Sequence, residues 1–394
     1  MRRAGSACCL LLMIGCSHMP AASSLPDGAP SQQARAEGSG FKTLYIFKGV
    51  PDGAVPVGAL LTLNGALYGT TNYGGDTGTH CIPGTGCGTV YEIDAGKESI
   101  LHRFHIETFG LRPYAGLTDV NGKLYGTTQE GGTKYDKGTV FTLSTNGSVK
   151  SLLSFDGTDG AYPRAQLTSV NGVLYGTTYL GGTIGVGTVF SITTAGSEKV
   201  LHSFEAGTDG ALPLGALIDV NGTIYGTTSA GGAHNDGTVF TLDSKGNEKV
   251  LYSFGGGSDG VQPWSGLTDV NGTLYGTTKE GGANGKGTVF KITTGGTESV
   301  IYSFAGGSDG EFPYAGVTLL NGQLYGTAAY GGSKNDGTIY SVSTSGAEKV
   351  LYTFSGTSDG RHPYSTLAVN GSALYGTTNS GGTYEKGTVF GFTP

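Results

Sequence analysis

The segment Leu/Ile-Tyr-Gly-Thr-Thr/Ala recurs seven times in this chain, with its tyrosine at Tyr68, Tyr125, Tyr175, Tyr225, Tyr275, Tyr325 and Tyr375. From Tyr125 onward the interval is 50 residues every time. The first interval is 57, and the seven extra residues fall around Cys81 and Cys87. A period of this size built from short strands predicts stacked, strand-only units, because one such unit cannot bury its apolar faces alone.

A single unit shows the grammar. Trp264 to Val270 runs into Asn271-Gly272, and Thr273 to Thr278 follows. Asn-Gly between two apolar runs marks a tight hairpin, since a type I′ turn needs positive φ at both central residues. After the loop 281–286, Gly287 to Thr293 reads as a third strand, and Glu298 to Phe304 as a fourth. Gly306-Gly307-Ser308-Asp309-Gly310 leads into Pro313 of the next unit. Each unit is thus expected to be a four-stranded antiparallel meander, and helical periodicity is not seen beyond the first residues.

The chain ends predict closure. Thr43-Leu44-Tyr45-Ile46-Phe47 matches the fourth-strand pattern, and Gly387 to Phe392 matches the third. Residues 42–48 are therefore expected to pair with 387–392, which would remove an open sheet edge. The predicted fold is all-β: a seven-bladed β-propeller of four-stranded blades over residues 42–394, closed by an N-terminal strand in the last blade. In-strand glycines such as Gly276 and Gly287, and small residues after the repeated Pro (Ala115-Gly116, Ser265-Gly266), fit blades that crowd one another and the axis. The last hairpin places Asn370-Gly371 one position early, which predicts a longer turn there.

Residues 1–16 read as a signal peptide. Arg2 and Arg3 precede a short apolar run, Ala7 to Ile14, followed by Gly15-Cys16. Met13-Ile14-Gly15-Cys16 resembles a bacterial lipobox, which implies lipidation at Cys16; a cut near Ala21-Ala22 is the alternative. Residues 17–41, rich in Ser, Ala, Pro, Gly and Gln, read as a flexible linker. No later stretch has the ~18 apolar residues of a membrane-spanning helix. Export suits Cys81 and Cys87, an isolated pair in one loop that reads as a disulfide, whereas zinc would need more ligands than this pair and His80. A net charge of −7 argues against a nucleic-acid partner.

The strand grammar and the V-N-G-x-L-Y hairpin resemble kelch repeats. The L-Y-G-T-T, G-G, G-T-V-F and S-D-G-x-x-P pattern, running over 42–394, more closely resembles the bacterial GloVer tandem-repeat proteins. That resemblance implies an exported propeller and no established activity.

Candidate chemistry sits on the face carrying the longer loops, at the mouth of the central channel. The residue after each blade's Pro should line it: Val57, Tyr114, Arg164, Leu214, Trp264, Tyr314 and Tyr364. The aromatic ones read either as a stacking platform for sugar rings or as packing that plugs the channel. Residues that break the repeat nearby are Glu107, Arg112, Arg164, Glu311, Arg361 and His362. Glycoside hydrolysis needs two carboxylates about 5–10 Å apart, and Glu107 and Glu311 fall on distant blades. His102 and His202 replace the fourth-strand Tyr and read as structural. The recurring Asp (Asp52, Asp159, Asp209, Asp259, Asp309, Asp359) reads as an Asp-Gly turn residue, with calcium as the alternative. The ligand-binding set expected at the mouth is Tyr114, Arg164, Trp264, Tyr314, Tyr364, Arg361 and His362. No metal, cofactor or catalytic residue is assigned. The expectation is a monomeric cell-envelope or secreted binding or scaffolding protein with a glycan or envelope-protein partner; an enzyme acting on extracellular polysaccharide is the alternative.

Overall fold

The computed structural model describes residues 40–394 except 80, 106–108, 134–135, 145–146 and 244. The expected signal peptide, nearly all of the linker, Cys16, His80 and Glu107 lie outside the described residues. Among the described residues the secondary structure is strand and turn, apart from one residue of helical turn at Phe109.

Seven four-stranded antiparallel sheets follow one another in a ring. Blade 1 comprises Leu61–Leu63, Ala66–Thr71, Thr89–Asp94 and Lys97–Arg103. Blade 5 comprises Thr268–Val270, Thr273–Thr278, Thr288–Thr293 and Glu298–Ser303. Blade 7 has Ala368–Asn370, Ala373–Thr378 and Thr388–Phe392, and takes its outer strand, Phe41–Ile46, from the start of the propeller. Phe41 pairs with Phe392 and Ile46 with Thr388. This strand starts within the stretch expected to be linker. The reason is packing: the Phe41 ring stacks on Tyr352 at 4.0 Å between centroids and lies 5.5 Å from Phe390. The borrowed strand also reproduces a bulge. Register slips at Leu44 as it does at Ile301 in blade 5, adding the local twist that turns each outer strand.

The seams between blades are aromatic. The Phe that closes each outer strand is fully buried and meets, edge to face, the third-strand ring of the next blade. Phe254 meets Phe290 at 5.1 Å, Phe304 meets Tyr340 at 5.0 Å, and Phe47 meets Tyr91 at 5.1 Å across the closure. Such pairs add about 0.5–1.5 kcal/mol beyond area burial. The glycine of the second strand makes room for the same ring: a Cβ on Gly276 would lie 2.5 Å from Phe290 Cζ. Its smallness therefore admits the cross-strand ring of its own blade.

Two expectations need correction. The axial segment is only partly a strand: in blade 5 the ladder starts at Thr268, and Pro263–Leu267 runs unpaired toward the axis. Crowding explains it. A Cβ on Gly215 would sit 2.5 Å from the Ser265 carbonyl carbon of the next blade, so these segments touch backbone to backbone. The last hairpin is no longer than the others. Asn370 pairs with Ala373, leaving the two-residue turn Gly371-Ser372. Gly371 has φ +62°, which supplies positive φ at the first turn position, so no added length is needed.

Candidate functional site

The unpaired axial segments of all seven blades surround a cavity of about 570 Å³. Its wall includes Val57, Tyr114, Arg164, Leu214, Trp264, Tyr314 and Tyr364, the residues that follow each blade's Pro. That volume lies within the ~300–1,000 Å³ of small-molecule sites.

The ring of residues is asymmetric. Blades 5, 6 and 7 contribute a continuous arc of three aromatic rings. Trp264 and Tyr314 lie 4.8 Å apart at 76°, and Tyr314 and Tyr364 lie 4.7 Å apart at 76°. Seven-fold order puts Tyr114 and Arg164, from blades 2 and 3, across the cavity from this arc. The Arg164 guanidinium lies 4.2 Å from the Tyr179 ring centre and 5.7 Å from that of Tyr114. Its Nε is buried with no hydrogen-bond partner in the protein. Stacking thus holds the guanidinium in place while leaving hydrogen-bonding capacity unused.

The phenols at the mouth remain protonated donors at neutral pH. Burial, reinforced by Tyr330, pushes Tyr314 up to about 12 and Tyr364 higher still. The Tyr364 hydroxyl faces that of Tyr330 at 3.4 Å. Gln166, Ser265, Thr268 and Thr366 add polar groups to the lining, and leucines from four inner segments, including Leu60 and Leu367, add apolar ones. Among the described residues, none lining the cavity is a carboxylate, histidine or cysteine.

Arg361 and His362 were expected at the mouth but do not line it. Arg361 is drawn outward to Glu385, at 2.5 Å in an exposed ion pair. His362, at φ +54°, packs its ring 4.6 Å from Tyr330 and contacts Ser380 Oγ at 3.2 Å. Burial lowers its pKa, with Arg361 adding to the effect. It stands one layer behind the wall, buttressing Tyr330 and through it Tyr364. Two other repeat-breaking residues among those described are paired off: Arg112 with Glu130 at 2.5 Å and with the Tyr73 hydroxyl, and Glu311 with Lys286 at 2.6 Å.

Tyr179, Lys279 and Tyr330 were not expected to take part. All three follow the Tyr-Gly-Thr segment, and they back the mouth residues from outside. Lys279 Nζ lies 5.4 Å from the Trp264 ring and 5.7 Å from Tyr314. Their signal in the sequence was variation: the two residues after Tyr-Gly-Thr-Thr/Ala change in every blade while the motif itself barely changes.

The recurring Asp is a latch. Asp259 accepts hydrogen bonds from the Tyr252 hydroxyl at 2.9 Å and the backbone N–H groups of Gly255 and Gly260. Asp309 repeats this with Tyr302, Ala305 and Gly310. The outer-strand Glu of the following blade approaches the same latch. Burial, then the nearby Asp, raises Glu298 and Glu348 to about 7. In the loop that lengthens the first interval, Cys81 and Cys87 form a disulfide.

Fold and cavity together define a seven-bladed β-propeller with a half-aromatic mouth. The chain belongs to the Gloeobacter/Verrucomicrobia repeat family, whose profile matches residues 33–182, 83–290 and 269–394. No curated protein sequence matches it. Several solved structures share the fold at low identity. The extracellular domain of a putative hybrid two-component system from B. thetaiotaomicron aligns with TM-score 0.60 and 11% identity, over 89% of this chain and 39% of that one. A puromycin-hydrolyzing peptidase of Mycobacterium tuberculosis aligns with TM-score 0.50 and 11% identity, over 84% and 52%. An oligogalacturonate lyase of Vibrio parahaemolyticus aligns with TM-score 0.51 and 8% identity, over 90% and 93%. The chain thus spans about two fifths and one half of the length of the first two. At such identities the likeness concerns the fold alone.

Proposed function

We propose that this is a monomeric glycan-binding propeller of the cell envelope. It is exported by its N-terminal signal and held there through lipid at Cys16. The observation that supports binding is the mouth itself. Trp264, Tyr314 and Tyr364 offer an arc of flat apolar faces and hydroxyl edges, and the Arg164 side chain places a guanidinium on the opposite wall. Sugar rings present apolar C–H faces and a fringe of hydroxyls, so the two sides complement each other. Arg164 would receive hydroxyl or carboxylate oxygens. A glycoside-hydrolase reading is disfavoured because, among the described residues, the wall holds no carboxylate pair.

The test is calorimetric titration of the chain with neutral and uronic-acid-containing oligosaccharides, beside Tyr364→Ala and Arg164→Gln. Saturable binding weakened by both substitutions supports the proposal. Binding indifferent to both, or none with any glycan class, overturns it. Membrane fractionation of Cys16→Ala tests the anchor: release into the soluble fraction supports it, and unchanged membrane association removes it.

A further inference from the structure

We propose that His202, Asp209 and Glu248 form a binding site for a divalent cation of the zinc class, which would staple the outer edges of blades 3 and 4. No two of these residues have the sequence spacing of a metal motif. His202 lies on the outer strand Glu198–Ser203 of blade 3, and Asp209 in the connection that follows it. Glu248 starts the outer strand Glu248–Ser253 of blade 4. The fold brings one ligand atom from each within 4.8 Å of the others. His202 Nε2 lies 3.1 Å from Asp209 Oδ2 and 3.3 Å from Oδ1. One imidazole nitrogen and two carboxylates at such spacing suit a tetrahedral cation with bonds of about 2.0–2.2 Å, leaving one position for water. The His202 and Asp209 side chains are 21% and 18% exposed, so an ion can reach them.

Comparison around the ring makes the site specific. At the equivalent place, Tyr45, Tyr252, Tyr302 and Tyr352 present a phenol to the latch Asp. Burial and the adjacent acids hold the first three of these phenols well above the ordinary value, so they serve as proton donors and not as ligands at neutral pH. Blade 2 has Leu153 there. Blade 1 has His102, but Phe109 and Val149 replace the two acids. Burial then lowers His102 to about 4, as expected for an imidazole with no acid to face. Blade 3 alone sets an imidazole nitrogen against both carboxylates. The hydrogen bond from Nε2 to Asp209 in the free protein would give way to the cation, and the bridge would add a tie between the outer edges of two blades.

The experiment is zinc titration of the untagged, oxidised chain, read by calorimetry and thermal shift, beside His202→Tyr. That variant installs the residue four other blades carry, so it should fold. The proposal expects one zinc per chain, a raised melting temperature, and an affinity at least about tenfold weaker in the variant. Equal zinc affinity in His202→Tyr overturns it, as does no binding by the parent chain. Calcium serves as the control for an oxygen-only site: a calcium response that matches zinc and survives the substitution also overturns it.

Discussion

Gly387, at the head of the last third strand, lies against Pro56 of the first blade: a Cβ on Gly387 would sit 2.6 Å from Pro56 Cδ. The same contact joins Gly287 to Pro313 and Gly237 to Pro263, so the seam that closes the ring is built like the seams within it. Gly387 also has φ +94°. Gly387→Ala therefore meets both backbone strain and a steric wall, and should cost about 2–4 kcal/mol. Gly65→Ala is the control. Its φ is +86°, but open space surrounds it, so it should cost only about 1 kcal/mol. Urea denaturation of both variants checks this; equal losses would mean that the crowding at Gly387, by Pro56 across the seam and by the Thr378 carbonyl oxygen, adds nothing.

A second prediction concerns an absent hydroxyl. In six blades a threonine pair bridges strands two and three, as in Thr278 and Thr288 at 2.8 Å. Blade 6 has Ala328 opposite Thr338, whose hydroxyl is buried without a partner. Ala328→Thr should restore the pair and stabilise the chain by about 1 kcal/mol. A thermal midpoint that falls would show that the pocket cannot take the extra atoms.

The pH dependence of stability should carry the mark of the outer-strand glutamates. Glu298 and Glu348 are raised to about 7, chiefly by burial and then by Asp259 and Asp309. A carboxyl raised in this way binds its proton more tightly in the folded chain. Its contribution is complete below the ordinary carboxylate value and is lost as pH rises through about 7. The melting temperature should therefore drop between pH 5 and pH 8. Glu298→Gln with Glu348→Gln should flatten that drop and raise the midpoint at pH 8. An unchanged slope would remove these groups as its source.

Blade number, strand order and closure were legible because each rests on local pattern repeated seven times. The mouth was legible at Tyr114, Arg164, Trp264, Tyr314 and Tyr364 because one position per repeat, after Pro, must face the axis. Arg361 and His362 were misplaced because they precede that Pro, where positive φ at His362 turns the chain outward. Tyr179, Lys279 and Tyr330 were hidden because their role depends on reach across to mouth residues. The His202 cluster was hidden for a similar reason: its third member lies on the next repeat, and only the seam between blades makes them neighbours.

Glycan recognition at the mouth is tested most directly by the emission of Trp264, the single tryptophan of the chain. It is half-buried on the cavity wall, beside Tyr314 and under Lys279. Titration with a panel of neutral and acidic polysaccharides should give a saturable shift for one class, lost on Tyr364→Ala, at the far end of the arc from the indole with Tyr314 between them. A flat response to every glycan, with the indole already shielded from soluble quencher, would mean that the aromatic arc only packs the channel and would contradict the account.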